Sequence, residues 1–156
     1  CRAASSLSGG PNACEFGCVG LGDCVDRCPF GAIHMEKGVA VIDQDVCTGC
    51  GVCIAVCPRG IIQMLPKDQT VIVLCRNKAI GRIAALQCKT ACVGCKRCEK
   101  QCPTNSIVVK DGVAEIDETT CTRCGACIPV CPMHCIVNFY ECQAEEILDE
   151  QLPDEA

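Results

Sequence analysis

The sequence predicts an α+β chain made of two tandem copies of one small module, in which short helices and β-hairpins surround groups of cysteines. Three observations carry this. Cysteines recur in runs that end in Cys-Pro, at 14–29, 47–58, 92–103 and 121–132. Residues 28–58 align without a gap on 102–132, at an offset of 74, with 17 of 31 positions identical. Each copy also holds two alternating apolar segments about a two-residue turn: AIHME and VAVID around Lys37-Gly38, SIVVK and VAEID around Asp111-Gly112. Alternation around an X-Gly turn reads as a β-hairpin.

The most regular run is CTGCGVCIAVCP, with Cys47, Cys50, Cys53 and Cys57 spaced C-x2-C-x2-C-x3-C-P. Cys92, Cys95, Cys98 and Cys102 repeat it, as do Cys121, Cys124, Cys127 and Cys131. This spacing lets three thiolates wrap one cubane [4Fe–4S] cluster while the fourth, about one helical turn on, reaches a second cluster. The remaining run, CEFGCVGLGDCVDRCP, reads as a stretched form with Cys14, Cys18, Cys24 and Cys28, and its glycines suggest a loop that swings outward. The alternative there is a corner that keeps thiols without a cluster.

Composition agrees. The 156 residues include 21 cysteines but only four aromatics, Phe16, Phe30, Phe139 and Tyr140. Inorganic clusters are expected to take the core space that aromatic rings fill elsewhere. An odd cysteine count in close clusters, with no signal peptide, argues against a secreted disulfide scaffold and for a reducing, cytoplasmic setting. No apolar run approaches the roughly 18 residues of a spanning helix.

The expected order is a helical lead-in at 1–13, with a helix over Arg2–Leu7, then a first module at 14–75. A linker helix follows at 76–87, turning Ile80, Ile83 and Leu86 inward. The second module spans 88–140, and an acidic, disordered tail spans 141–156. Between 61 and 75, IIQML and VIVLC read as strands about a PKDQT turn, and CIVNFYEC closes the second module as a strand. The tail holds seven acids and no Lys or Arg, so the rest of the chain carries +2 before cluster charge is counted. Residues 67–100 hold eight Lys and Arg against two acids. That is either a solvated face offsetting cluster charge or a landing site for an acidic electron donor.

The two modules resemble bacterial-type 2[4Fe–4S] ferredoxins, in which each fourth cysteine crosses to the other cluster. The resemblance implies four [4Fe–4S] clusters. Cluster one takes Cys14, Cys18, Cys24 and Cys57, and cluster two takes Cys47, Cys50, Cys53 and Cys28. Cluster three takes Cys92, Cys95, Cys98 and Cys131, and cluster four takes Cys121, Cys124, Cys127 and Cys102. Cys1, Cys75, Cys88, Cys135 and Cys142 are left as small buried hydrophobes by default. Cys75 and Cys88 flank the expected linker helix, and the alternative for them is a redox or structural pair.

A cubane held by four thiolates passes single electrons and has no open site for substrate. No Ser-His-Asp set, paired carboxylates, phosphate loop or dinucleotide fingerprint is present, so the chain is expected to carry electrons without a catalytic site of its own. Nucleic acid is not expected as a partner.

More specifically, CRAASSLSGGPNACEFGCVGLGDCVDRCPFGAIHM at 1–35, CPRGIIQMLPKD at 57–68 and ACVGCKRCEKQCP at 91–103 resemble the B subunit of Rnf electron transport complexes. These are ion-translocating ferredoxin:NAD oxidoreductases, and the resemblance runs to about residue 138. It implies a subunit on the cytoplasmic side of the cell membrane. Such a subunit takes electrons from reduced ferredoxin or flavodoxin and passes them to other subunits of a membrane complex that moves sodium ions or protons. The family also has an N-terminal hydrophobic anchor and a further cysteine-rich domain. Residues 1–156 match the ferredoxin-like part, so membrane contact is expected only through partners or through an anchor upstream of Cys1. Alternatives are a polyferredoxin subunit of a soluble hydrogenase or bifurcating oxidoreductase and, in another class, a zinc-binding structural protein.

Overall fold

The computed structural model describes residues 1–8 and 14–139. The chain divides into two compact units, Cys1–Leu65 and Pro66–Ala156. The first contains α1 (Arg2–Ser8), α2 (Asp23–Asp26), β1 (Ile33–Glu36), β2 (Val39–Ile42) and α3 (Val52–Val56). Strands β1 and β2 pair antiparallel, Ile33 opposite Ile42 and Glu36 opposite Val39. Lys37 and Gly38 turn the hairpin with φ of 44° and 79°. Two successive left-handed residues give a turn whose twist matches that of the strands.

The second unit contains β3 (Val71–Val73), α4 (Arg82–Gln87), α5 (Arg97–Gln101), β4 (Ile107–Lys110), β5 (Val113–Ile116) and β6 (Ile136–Asn138). Strands β4 and β5 reproduce the first hairpin around Asp111-Gly112, with φ of 49° and 84°. Strand β3 pairs antiparallel with β6, Val71 opposite Asn138 and Val73 opposite Ile136.

That pairing moves the boundary expected after residue 75 to between Leu65 and Pro66, because VIVLC supplies a strand to the second unit. IIQML, read as a strand from sequence, is irregular. At the repeat offset residues 62–64 are the counterpart of β6, but among the described residues of the first unit no strand pairs with them. A three-residue strand without a partner has no ladder to hold it.

The expected 76–87 helix is also shorter, with α4 beginning at Arg82 after Gly81 at a φ of 57°. Its inward face is Ala84, which is fully buried, whereas Ile80, Ile83 and Leu86 are exposed at 64%, 62% and 85%. The preceding residues are fixed by polar contacts instead. Buried Asn77 donates from Nδ2 to Gln87 Oε1 at 2.7 Å and accepts the Ala79 N–H at 2.9 Å. The segment therefore packs on the second unit rather than serving as a free connector.

The core of the second unit joins Val71, Ile107, Val113, Ala114 and Ile136 to five cysteines, Cys92, Cys98, Cys127, Cys131 and Cys135. Among the described residues no helix is long and apolar enough to cross a membrane. Tyr140, Cys142 and the acidic tail lie outside the described residues.

Candidate metal centres

The backbone shows how the cysteines are placed. Left-handed residues of the first unit return in the second at an offset of 74. Gly20, Gly22 and Gly31 return as Gly94, Lys96 and Asn105. Gly49, Gly51 and Gly60 return as Arg123, Gly125 and His134. The hairpin turns fall into the same register.

One close approach is shared as well. A Cβ on Gly20 would meet the Gly38 carbonyl oxygen at 2.4 Å, and one on Gly94 would meet the Gly112 carbonyl oxygen at 3.2 Å. The turn before it also repeats, with Gly17 N–H donating to the Cys14 carbonyl at 3.1 Å and Ala91 N–H to the Cys88 carbonyl at 3.2 Å.

The first run is therefore not an outward loop. It follows the frame of the third run, with Cys14 in the place of Cys88, Cys18 of Cys92, Cys24 of Cys98 and Cys28 of Cys102. The departure is one residue, Leu21 where the second unit has Cys95. Extending the ungapped alignment back from Cys28 to Cys14 would have found this.

Side-chain burial repeats too. The second position of each run faces solvent: Cys50, Cys95, Cys124 and, in the first run, Leu21. The third position enters a helix or turn and lies inward. Burial pushes the thiols of Cys24, Cys53 and Cys98 up, and that of Cys127 up to about 11. A cationic metal centre would offset that cost, because a coordinated thiol is deprotonated outright.

The third cysteines also show which thiols feel one another's charge. Cys24 lies within the field of Cys18 and of Cys57 from the next run. Cys98 feels Cys92 and Cys95 of its own run and Cys131 of the next. Cys127 feels Cys121 and, from the preceding run, Cys98 and Cys102. In three of the four groupings expected from the sequence, a third cysteine thus feels the charge of a fourth cysteine from the partner run. Cys53 meets Cys47 and Cys50 of its own run.

The clearest cavity is lined by Cys92, Cys95, Cys98, Cys131 and Cys135, with Val93, Val109, Ala114, Pro132, Met133 and Ile136 making it largely apolar and Lys96 also on its wall. Among the described residues no three His, Cys, Asp or Glu side chains meet as they would on a single metal ion. Here five thiols line one space instead, those of Cys92, Cys95, Cys98, Cys131 and Cys135, and a cubane needs four of them.

Amide donors already point at the fourth cysteines. Ala32 N–H donates to Cys28 Sγ at 3.4 Å and Ser106 N–H to Cys102 Sγ at 3.3 Å. Burial raises the Cys102 thiol, but the Thr104 hydroxyl and the amides of Thr104, Ser106 and Ile107 outweigh it and leave the group lowered. At Cys131 the partner is unusual. The Cys135 thiol, 2% exposed, sits 3.5 Å from Cys131 Sγ and also bonds Cys92. It holds Cys131 down to about 5 and Cys92 below the usual thiol range, and its own pKa is driven up. Sequence reasoning left Cys135 among the spare cysteines. Of the others, Cys75 accepts the Asn77 N–H and Cys88 meets the Thr90 hydroxyl at 3.4 Å.

Comparison with known proteins identifies the kind of domain these runs belong to. A family model described as a 4Fe-4S dicluster domain matches residues 14–61 and again 91–135, and a second model of the same description matches 46–106. The chain belongs to the 4Fe–4S dicluster family. Two such domains carry four [4Fe–4S] clusters, so this is an electron-transfer protein.

Among curated relatives, the chain is 45% identical over 137 residues to the B subunit of the ion-translocating oxidoreductase complex of Methanosarcina acetivorans, covering 87% of this chain and 52% of that one. It is 44% identical to the B subunit of the Na(+)-translocating ferredoxin:NAD(+) oxidoreductase complex of Acetobacterium woodii, over 90% of this chain and 43% of that one. It is 41% identical to the B subunit of the proton-translocating ferredoxin:NAD(+) oxidoreductase complex of Clostridium ljungdahlii, over 85% and 48%. The chain thus spans about half the length of the curated relatives it matches.

Proposed function

We propose that this chain is the ferredoxin-like, electron-accepting part of an Rnf-type B subunit, working at the cytoplasmic face of a membrane complex. Reduced ferredoxin or flavodoxin is its donor and the other subunits are its acceptors. The observation that supports the reading is a pair of dicluster domains in a chain whose relatives over most of its length are B subunits of ion-translocating complexes.

When bound, each cluster takes up and returns one electron. The residues do the rest. Cys18, Cys24 and Cys57, with Cys14, hold the first site, and Cys47, Cys50 and Cys53, with Cys28, hold the second. In the other unit the sets are Cys92, Cys95, Cys98 with Cys131, and Cys121, Cys124, Cys127 with Cys102. The apolar side chains around the cavity keep water away, and the amides of Ala32 and Ser106 stabilise charge on the sulfurs they face. The solvent-facing second positions leave a short path to a docked partner.

Lys96, Arg97 and Lys100 stand beside Cys95 and Cys98 in sequence and supply positive charge for an acidic donor. Anaerobically reconstituted protein should hold about 16 iron and 16 sulfide per chain, and zinc without sulfide contradicts the reading. Neutralising the three basic residues should slow reduction by ferredoxin several-fold at low salt and flatten its salt dependence. Unchanged stopped-flow rates remove the patch as the landing site.

A further inference from the structure

We propose that Arg59 is the positioning residue that lets Cys14 stand in for the thiol missing at position 21. This rests on Cys14 being a ligand of the first site, as proposed above. In the repeat frame the solvent-facing ligand of the third run, Cys95, is replaced by Leu21, which is 57% exposed and offers no donor atom. A replacement thiol must come from outside the C-x2-C loop. Cys14 is four residues ahead of Cys18, on a turn shared with Cys88–Ala91.

What differs between the two turns is the residue that grips them. Arg59 follows Cys57-Pro58 directly, so its backbone lies two residues from the ligand that crosses into this site. Its Nη1 donates to the Cys14 carbonyl at 3.2 Å, and its Nε donates to Ser5 Oγ on α1 at 3.2 Å. One planar guanidinium thus ties the Cys14 turn and the lead-in helix to the Cys57 corner, in two fixed directions that a flexible ammonium does not reproduce.

At the repeat offset the place of Arg59 is taken by Met133, which has no N–H to donate from its side chain. The tie is present in the unit that needs its upstream cysteine and absent from the unit that has Cys95. Without it, the Cys14 carbonyl loses a charge-assisted bond and the thiol must be ordered by the metal alone.

The test uses the reconstituted full chain under anaerobic conditions, with iron release to a chelator and EPR of each site as readouts. Arg59→Met, which installs the second unit's residue, should speed release of one cluster's worth of iron, about 4 of 16, roughly tenfold, with the other sites unchanged. Adding Leu21→Cys, which restores the second unit's ligand, should return release to the parent rate and make Cys14 dispensable. Cys14→Ala should lose the same cluster outright.

If Cys14→Ala keeps all four clusters, the ligand reading itself fails. If Cys14→Ala loses one cluster while Arg59→Met holds it as tightly as the parent, the role of Arg59 alone is overturned. Loss of both first-unit clusters in Arg59→Met, or no rescue by Leu21→Cys, also overturns it, since either shows a general structural contribution.

Discussion

The two units carry one backbone with different chemistry at matching places. In the first, most left-handed positions are glycine. In the second, Lys96, Asn105, Arg123 and His134 occupy the places of Gly22, Gly31, Gly49 and Gly60 and hold the same conformation. L-residues in that region cost about 1–2 kcal/mol each, so the second unit meets a conformational cost that the first largely avoids. It has more to meet it with. Strands β3 and β6 close its core, and Val71 and Ile136 are almost wholly buried. The first unit has no such strand pair among its described residues. The cysteine turns and hairpin thus hold this frame in both units, with or without glycine at its left-handed positions.

The largest difference between the units is expected at the shared close approach. Gly20→Ala places a Cβ 2.4 Å from the Gly38 carbonyl oxygen at a φ of 81°, whereas Gly94→Ala meets Gly112 at 3.2 Å and a φ of 68°. Gly20→Ala should cost about 3 kcal/mol and Gly94→Ala about half that. Cluster retention during thermal unfolding measures this, and equal losses would show that the units tolerate the contact alike.

Cys135 offers a gentler comparison, because Ile61 holds its place in the first unit. Its thiol faces Cys131 and Cys92, and hydrogen bonds to cluster sulfurs raise reduction potentials. Cys135→Ile should lower the potential of the site held by Cys92, Cys95 and Cys98, leaving the other three in place. An unmoved potential in an EPR-monitored titration would reduce Cys135 to packing.

The smallest effect is expected from Lys96→Gly, which gives the second unit the first unit's residue. Relief of the left-handed backbone, less the added freedom of the unfolded chain, should stabilise by about 0.5 kcal/mol. A lowered melting temperature would mean that Lys96 contributes more through its charge than it costs in strain.

Much of this was legible in the sequence. Both hairpins were, because alternation and an X-Gly turn are local signals, and so were the regular runs, because their spacing is that of the donor set. What was missed is non-local or requires the repeat to be followed further. The partner of β3 lies 65 residues along the chain, so VIVLC was assigned to the wrong side of the boundary. Ile80, Ile83 and Leu86 have helical spacing, but the buried contacts of that segment belong to Ala84 and Asn77. Leu21 as the counterpart of Cys95 was hidden by comparing gap lengths instead of positions. Arg59 and Cys135 carry no motif, and their roles emerge only from the atoms they face.

If each fourth cysteine serves the other site of its unit, Cys57→Ala separates the two sites of the first unit. Cys57 follows the run of Cys47, Cys50 and Cys53, yet its charge is felt at Cys24 of the preceding run. Anaerobic iron analysis with site-resolved EPR of this variant should show the cluster at Cys14, Cys18 and Cys24 lost and the cluster at Cys47, Cys50 and Cys53 retained. Loss of the latter with the former intact would contradict the crossed arrangement.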